Sequence, residues 1–478
     1  MSVLLLVLLA ADAKEPPLLA WAKAAQGRWA YGLYIKGKKA GWSLDEIKVA
    51  KRDGKDVLVS STESVLATQF DGVKSRKESR TTVTYSLEGE GPILHALAWK
   101  KDDATEVTRE ATAAKDGLRI VTTPKGGKPR TVPVPKDTLA RHRELERWLA
   151  GKRTKGDKAV KWGTAWEQTD IDDKETYRFK GRKKARVDGK EVEVVEATIE
   201  AEGSRMEADL LPDGRPVRAV LGGFLEMRQE PEKEARKLDG KEVDLLNEAS
   251  VELDADLGPA ARLIDELVLE VRGLGDLKVL ESHRQAVIRR KGFDAVTLKR
   301  DRRVKEAAPL GKEEARRWLE ATPRIESGDA RIKGKAQEIV GAEKEAGKRA
   351  EKLMGWVFAA LRKSYEDNAD TSTAVLANKA GDCTEHSLLY VALARSLGIP
   401  AREVGGLAYV RAKKPLLGWH AWAEIHDGHQ WVSVDPTWGQ YLVDGAHWKM
   451  SEGERDLAWV NVVGALKAKV SSSTRRGR

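Results

Sequence analysis

A single cysteine, Cys383, stands in a sequence context that favours a reactive thiol over a buried apolar side chain. Asp382 before it is a preferred N-cap residue, and Glu385 three residues later completes a capping-box pattern. Leucines then recur at every fourth position, which predicts a helix from Cys383 to Leu397 that the following Gly-Ile-Pro run ends. The thiol would therefore lie in the first turn of a helix, where free backbone N–H groups favour a thiolate and can bind an oxyanion.

The charges around this thiol act in opposite directions. The carboxylates of Asp382 and Glu385 would raise the pKa of Cys383, whereas the helix N-terminus and a neighbouring imidazolium would lower it. Both carboxylates are expected to be engaged in capping, so the sequence leaves the direction of the net shift open. An imidazolium would be the largest stabiliser of a thiolate, and a histidine is therefore expected close to the cysteine.

The histidine and the carboxylate that would complete such a site lie in a predicted β-hairpin. Two strand-like runs flank Asp427-Gly428, a dipeptide that favours a two-residue turn. With that turn, His420 lies directly opposite Asp435 on one face of the hairpin, and the Cβ atoms of such a pair are ~5 Å apart. The carboxylate would fix the tautomer of the imidazole and stabilise its protonated form, as an activated-thiol mechanism requires. A one-residue shift in the turn would move the two side chains to opposite faces.

Four segments resemble the consecutive motifs of the transglutaminase-like superfamily in sequence, order and spacing, and the resemblance covers about residues 329–465. The segments are 381–386 (GDCTEH), 397–402 (LGIPAR), 420–422 (HAW) and 434–437 (VDPT). The resemblance implies a papain-like arrangement, in which the cysteine helix packs on an antiparallel sheet that carries the histidine and the carboxylate. Through the matching motifs it implies Cys383 as nucleophile, His420 as base and Asp435 as orienting carboxylate. The superfamily often has a further oxyanion donor upstream of the cysteine, for which Asn378 is a candidate.

The resemblance implies an enzyme that acts on amide or peptide bonds of a protein or peptide substrate through a thioester acyl-enzyme. Hydrolysis, by a protease or amidase of bacterial type, is favoured over cross-linking by family analogy. No cofactor is expected, and no acidic loop resembles a calcium site. The alternative is a non-catalytic binding or scaffold protein that retains the fold. The joint presence of Cys383, His420 and Asp435 argues against it, because a protein without chemistry would be free to lose any of the three.

Other residues around the predicted site have simpler interpretations. His386, one helical turn from Cys383, is predicted to be structural. A metal site made of Cys383, His386, His426 and His429 is a weaker alternative, because a Cys-x-x-His pair and two hairpin histidines are not a specific ligand pattern. Nearby tryptophans are expected mainly to pack, with one or two walling a substrate cleft. These are Trp419, Trp422, Trp431 and Trp438.

The whole chain predicts an α+β protein in which a large antiparallel β-rich region precedes the catalytic domain. The N-terminal half alternates in polarity and contains Asp-Gly pairs that favour hairpins, such as Asp53-Gly54, and a helical pattern interrupts it at residues 139–149. This region could bind a ligand or position the catalytic domain. The predicted divisions are a β-rich domain at 20–253, a small mixed β module or linker at 254–325, the transglutaminase-like domain at 329–465 and a basic disordered tail at 466–478.

The first residues predict where the protein is located, and the overall composition limits the kinds of partner it could bind. An apolar run before Ala11-Asp12-Ala13 resembles a short signal peptide over residues 1–13, which predicts export to the periplasm or the extracellular space; a buried first strand or helix is the alternative. The 85 basic and 75 acidic residues give a net charge of +10, but the two signs are interspersed, which disfavours nucleic-acid binding. No apolar run reaches the ~18–20 residues of a membrane span.

Overall fold

The structure is a computed structural model that is mostly β, with a large antiparallel sheet in the N-terminal region, as predicted. The predicted signal peptide at residues 1–13 lies outside the described residues. The described residues are 18–70, 72–102, 106–123, 129–132, 136–162, 174–187, 189–201, 203–259, 261–304, 309–365, 369–453 and 456–476.

Strands from the N-terminal half form one sheet of 15 strands among the described residues. The elements of this region are α1 (Leu18–Ala24), β1 (Gly27–Ile35), β2 (Lys38–Arg52), β3 (Lys55–Phe70), β4 (Val73–Ser86), β5 (Ile93–Lys101), β6 (Glu106–Ala114), β7 (Gly117–Thr123), β8 (Arg130–Val132), α2 (Thr138–Ala150), β9 (Lys158–Trp162), β10 (Lys174–Val187), β11 (Lys190–Ala201), β12 (Ser204–Leu210), β13 (Pro216–Leu221), β14 (Leu225–Glu230), α3 (Glu232–Ala235) and β15 (Val243–Asp244).

The sheet consists of two antiparallel meanders, β1 to β8 and β9 to β14, which join through the pairing of β1 with β14. The Asp53-Gly54 pair closes a two-residue hairpin turn, since Arg52 pairs with Lys55 and the two turn residues have φ values of 49° and 79°. The helical pattern at residues 139–149 corresponds to α2. Its buried Leu145 and Leu149 belong to the same apolar cluster as residues of β10 and β11, so this part of the helix covers part of the second meander.

The region after this sheet is a shorter mixed segment that leads into the C-terminal domain. It contains α4 (Leu245–Ala249), β16 (Val251–Glu252), a 3-10 turn (Ala261–Leu263), β17 (Ile264–Arg272), β18 (Gln285–Arg289), β19 (Asp294–Lys299) and α5 (Lys312–Arg317). The C-terminal elements are α6 (Ala330–Val340), α7 (Ala346–Ala360), β20 (Arg362–Lys363), α8 (Ser372–Asn378), β21 (Ala380–Gly381), α9 (Cys383–Ser396), β22 (Ala401–Arg411), β23 (Pro415–His426), β24 (Trp431–Asp435), β25 (Gln440–Tyr441), β26 (His447–Glu452), a 3-10 turn (Ala458–Val462) and β27 (Lys467–Arg475).

The C-terminal sheet has the strand order β25-β24-β23-β22-β26, and β16 also pairs with β23. Side chains from α9, including Leu389 and Leu393, share one fully buried cluster with Ala423 and Ile425 of β23 and Val432 of β24. Burial of each large aliphatic side chain is worth about 1.5–3 kcal/mol. Residues of α9 thus share their apolar cluster with residues of the two strands that carry the predicted histidine and carboxylate.

The N-terminal sheet contacts the segment that precedes the cysteine helix. Phe70 at the end of β3 packs on Tyr365, with ring centroids 4.6 Å apart, and Arg109 of β6 forms an ion pair with Asp370. Tyr365 and Asp370 lie between β20 and α8, and β20 pairs with β21 directly before Cys383. The N-terminal sheet thus supports the chain from which the cysteine helix begins.

Residues Lys467–Arg475 form a strand, and the disordered tail predicted over residues 466–478 is wrong for the described part. β27 pairs with β17 in a four-stranded sheet of order β18-β19-β17-β27, with Ala468 opposite Val271. The polar Ser-Thr-Arg composition suggested disorder, but an edge strand needs few apolar side chains. Its backbone pairs with the free edge of β17, and Ala468 is buried in the apolar cluster beneath.

Within the described residues, no helix is long and apolar enough to cross a membrane.

The role of β27 can be tested with two neighbouring substitutions. Ala468→Asp would bury a carboxylate and is expected to lower the free energy of unfolding by about 2–4 kcal/mol, whereas Lys469→Gln, on the exposed face, should change it little. Urea unfolding of the full chain measures both. Equal and small effects of the two substitutions would contradict an ordered β27.

Candidate active site

The start of α9 is built by a capping box around the cysteine. Asp382 is the N-cap and its Oδ1 accepts the N–H of Thr384 at 2.7 Å, while Glu385 Oε2 accepts the N–H of Asp382 at 2.9 Å. Cys383 is the first residue of the helix, as the sequence predicted. Gly381 is required by space, because a Cβ atom there would lie 2.3 Å from the Cβ of Glu385.

The thiol of Cys383 lies half-buried against β23. The backbone N–H of Ala421 is close enough to the sulfur to act on it electrostatically, so the thiol lies beside the residue that follows His420. Burial raises the pKa of Cys383 well above its ordinary value, and the negative charges of Asp382 and Asp435 raise it further against the opposing effect of the Ala421 N–H. The thiol is therefore neutral at rest, and it needs a base at the moment of attack.

Burial also raises the pKa of the neighbouring Glu385 carboxyl group. It is buried, and burial together with the charge of Asp382 raises its pKa to about 8. At neutral pH its carboxyl group is mostly protonated and adds little negative charge beside Cys383. The capping box thus satisfies the N-terminus of the helix with one full negative charge next to the thiol, that of Asp382, and not two.

His420 of β23 and Asp435 of β24 meet as a buried hydrogen-bonded pair. His420 Nε2 donates to Asp435 Oδ2 at 3.0 Å, which leaves Nδ1 as the ring nitrogen that can exchange a proton. The imidazole stacks on the indole of Trp438, with ring centroids 4.2 Å apart and planes 12° apart. The carboxylate and the indole together fix the plane of the imidazole.

The hairpin that carries this pair has a different register from the predicted one. Glu424 pairs with Ser433, and continuing that register places Asp435 opposite Trp422 and not opposite His420. The predicted two-residue turn is wrong, and the loop has four residues, 427–430. Because the shift is two residues, an even number, the side chains stay on the predicted face, and His420 and Asp435 meet diagonally.

The side chain of Asp427 explains the longer loop. Its Oδ1 accepts the N–H groups of His429 and Gln430, both at 2.9 Å, and its own N–H donates to the carbonyl of Gln430 at 3.1 Å. These bonds satisfy the loop backbone better than a two-residue turn could. An aspartate that bonds its own turn therefore outweighs the usual hairpin preference of Asp-Gly.

Asp435 is ionised in this environment. Burial alone would raise its pKa, but the charges and hydrogen bonds of His420 and His447 hold it well below the usual range of a carboxyl group. Its second oxygen, Oδ1, accepts the N–H groups of Thr437 and Trp438 at 2.8 Å and 3.0 Å. Both oxygens of the carboxylate therefore accept hydrogen bonds, which fixes the orientation of the group.

Sequence reasoning missed two residues of the site, His447 and Asp444. His447 Nε2 lies 3.4 Å from Asp435 Oδ2, and its Nδ1 lies 2.9 Å from Asp444 Oδ1. The available signal was the Asp-x-x-His spacing before β26, which is weak on its own because nothing in the motif indicates that it returns to the hairpin.

The residues assigned to other roles lie as follows. His386 is buried, as expected of a structural residue, with Nδ1 2.7 Å from the carbonyl oxygen of Asp382. Asn378, the candidate oxyanion donor, is exposed as the last residue of α8. Trp422 is fully buried, whereas Trp438 stacks on His420 and also lines an open pocket.

Two sets of residues in the C-terminal domain have side chains that could bind a metal. The alternative set of Cys383, His386, His426 and His429 is not among the groups of ligand atoms that converge in the described part of the chain. The converging group there is His420, Asp435 and His447, whose ligand atoms lie within 4.8 Å of one another. Hydrogen bonds account for this group, because both Nε2 atoms face the same carboxylate oxygen.

Comparison with known proteins identifies the domain that contains this site. Residues 333–436 match the family model of the transglutaminase-like superfamily, and they include Cys383, His420 and Asp435. An uncharacterized protein of Haemophilus influenzae is 33% identical over 105 residues, which are 20% of this chain and 27% of that protein. The chain thus aligns with about a quarter of the length of this curated relative.

Three solved structures are similar to parts of the chain. A candidate cysteine protease from Cytophaga hutchinsonii is 18% identical, with a TM-score of 0.31 over 44% of this chain and 86% of that one. A β-barrel-like protein of a domain of unknown function from Brucella abortus is 14% identical, with a TM-score of 0.30 over 42% and 94%. A candidate protease from Parabacteroides distasonis is 10% identical, with a TM-score of 0.19 over 79% and 70%.

The electrostatics of the thiol can be tested with an N-cap substitution. Asp382→Asn keeps a good N-cap but removes one of the negative charges that raise the pKa of Cys383. The thiolate fraction at pH 7 should rise, so alkylation by iodoacetamide is expected to become a few times faster and the pH–rate profile to move to lower pH.

Asp116→Asn, on an exposed turn of the N-terminal sheet, is the matched control and should leave the profile unchanged. A profile for Asp382→Asn that coincides with that of the wild type would contradict the proposed environment of the thiol.

Proposed function

We propose that the chain is a cysteine enzyme that acts on amide or peptide bonds of a protein or peptide through a thioester acyl-enzyme, and that it favours hydrolysis over cross-linking. Cys383 is the nucleophile, His420 the base and Asp435 the carboxylate that orients the base. The observation that carries this proposal is the buried His420–Asp435 hydrogen bond of 3.0 Å beside the strand residue whose N–H contacts the cysteine sulfur.

The first step forms the acyl-enzyme. The sulfur of Cys383 attacks the carbonyl carbon, and the thiol proton passes to Nδ1 of His420. Collapse of the tetrahedral intermediate breaks the C–N bond, and the leaving amine takes the proton from His420. A thioester between the substrate acyl group and Cys383 remains.

The second step regenerates the thiol. His420 takes a proton from water, the oxygen attacks the thioester carbon, and the C–S bond breaks as the sulfur is protonated. A carboxylic acid is released. An amine in place of water would give a new amide, so the same residues can perform either reaction, and access of the acceptor decides between them.

Two features of the helix start suit this chemistry. The N–H of Cys383 is in the first turn of α9, where intrahelical acceptors are lacking, and it can donate to the oxyanion of the tetrahedral intermediate. The neutral resting thiol suits a mechanism in which His420 removes the proton during attack, in contrast to a stable thiolate–imidazolium pair. The helix and the sheet carrying His420 share one apolar cluster, which supports the papain-like arrangement implied by the sequence motifs.

A pocket next to the site supports a peptide as substrate. Trp438, which stacks on His420, also lines a pocket of about 280 Å³ together with Arg262, Tyr409 and Gln440. The lining combines the aromatic rings of Trp438 and Tyr409 with the polar side chains of Arg262 and Gln440, a mixture that is common in ligand-binding pockets. Export of the protein, which the first residues suggest, would place the substrate outside the cytoplasm.

Release of ammonia or new amine ends from a mixed panel of peptides and proteins tests the proposal. Wild-type protein is expected to release product, and Cys383→Ala is expected to lose essentially all of it, because the nucleophile is removed. Cys383→Ser, which keeps a hydroxyl nucleophile of similar size, should retain at most a trace. Asp435→Asn should retain folding and lose most activity, because the amide no longer fixes the imidazole.

The product separates the two reactions. A carboxylic acid indicates hydrolysis, and a peptide joined to an added amine indicates transfer. Activity that persists in Cys383→Ala would refute thiol chemistry. Absence of product from every substrate tested would favour a binding or scaffold role for the domain.

A further inference from the structure

His447 lies between two buried carboxylates. Its Nδ1 is 2.9 Å from Asp444 Oδ1, and its Nε2 is 3.4 Å from Asp435 Oδ2. A carboxylate oxygen accepts hydrogen bonds and cannot donate one when ionised, so both ring nitrogens of His447 must carry protons to satisfy these contacts. The arrangement is that of an imidazolium cation directly behind the carboxylate that orients His420.

The second carboxylate is itself held in place. Asp444 Oδ1 accepts the N–H of Ala446 at 2.8 Å, and Oδ2 accepts from Gln440 Nε2 at 3.0 Å. Asp444 and His447 are both almost fully buried. The carboxylate therefore cannot turn towards solvent, and its charge remains directed at His447.

Aromatic rings exclude water from the sides of His447. The ring centroids of Trp422 and Trp438 lie 5.4 Å and 5.3 Å from that of His447, both in edge orientations. In such surroundings a charge is retained only when it is compensated, and interactions between the enclosed charges are strong.

The charges that face His447 favour its protonated form. Asp435 and Asp444 are the anions, whereas His420, with its ring centroid 5.9 Å away, and the buried Arg284 oppose protonation. Arg284 contacts the backbone carbonyls of Asp444 and His447, at 3.1 Å and 3.4 Å, and not the imidazole itself. Burial would lower the pKa of His447, but the two carboxylates outweigh it and raise the pKa to about 9.

We propose that His447 is a positioning residue, a buried imidazolium held by Asp444, which orients Asp435 and sets the basicity of His420. The consequence for the reaction rests on the function proposed above. The four groups form a chain from Asp444 through His447 and Asp435 to His420, in which each contact is between an anion and a ring nitrogen.

The chain limits how strongly Asp435 attracts a proton on His420. An isolated carboxylate would raise the pKa of its histidine, because the full negative charge stabilises the imidazolium. The positive charge of His447 offsets part of that effect. His420 therefore faces a partly compensated charge and not an isolated anion, which suits a residue that must take up a proton and give it back during the reaction.

Titration of the full-length protein labelled with ¹⁵N-histidine tests the proposal without any substrate. In the wild type at pH 8, one histidine is expected to show two protonated ring nitrogens, and His447→Gln should remove that signal. The glutamine can still donate to Asp435 but carries no charge, so the titration midpoint of His420 is expected to rise by about one pH unit. The His420 signals are assigned by their loss in His420→Gln.

His429→Gln is the matched control, because His429 lies on the hairpin loop and contacts the carbonyl of Val304. It should leave both the doubly protonated signal and the His420 midpoint unchanged. A neutral His447 at pH 8, or an unchanged His420 midpoint in folded His447→Gln, would overturn the proposal.

Asp444→Asn provides a second variant if His447→Gln does not fold. It keeps the size of the side chain and removes one anion, so His447 is expected to lose its proton at a lower pH than in the wild type. Titration of His447 at the wild-type pH in this variant would overturn the proposal.

A kinetic measurement connects the cation to the reaction. On any peptide that the wild type hydrolyses, His447→Gln is expected to lower kcat/KM about tenfold at pH 7 with little change in KM, and to move the acid limb of the pH profile upward. A purely structural role would lower activity equally at all pH values. If no peptide is hydrolysed, the proposed function fails while the titration still decides the charge of His447.

Discussion

A buried carboxylate that must remain ionised governs the structure around the site. Asp435 is fully buried, and an uncompensated charge in that position would cost several kcal/mol. Oδ1 receives two backbone N–H groups of the turn that follows β24, and Oδ2 receives His420 and His447. The side chain of Asp435 therefore holds the turn after β24, the ring plane of His420 and the start of β26 in place. The orientation of the base is a consequence of satisfying this charge.

A second buried anion lies on β23, the strand that carries His420. Glu424 of β23 accepts from Arg402 at 2.7 Å and 2.9 Å and from Lys449 at 2.9 Å. Burial would raise the pKa of Glu424, but Lys449 and Arg402 lower it to about 2. Strands β22, β23 and β26 are thus joined by compensated charges as well as by backbone pairing. A sheet held in this way can keep His420 in position while a substrate enters and leaves.

The sequence predicted the local parts of the site better than its long-range contacts. The capping box at Asp382 depends on residues within one helical turn, and it is present as predicted. The hairpin was predicted two residues out of register, because the Asp427 side chain bonds its own loop, and a preference for Asp-Gly turns does not include that competition. His447 was missed because its contact with Asp435 depends on the return of the chain to the far side of the sheet. The strand β27 was missed for a similar reason, since it pairs with β17, which is distant in sequence, and its own composition does not indicate that pairing.

The central claim is that the sulfur of Cys383 attacks an acyl carbon with His420 as base. Intact-mass analysis of acid-quenched mixtures of the protein with a panel of peptides detects the acyl-enzyme directly, because a thioester survives in acid. Peptide mapping then locates the modified residue. We expect an added acyl mass on Cys383 that hydroxylamine removes, and no such adduct in His420→Ala at the same reaction time. An adduct on another residue, or one that forms on Cys383 equally fast without His420, would contradict it.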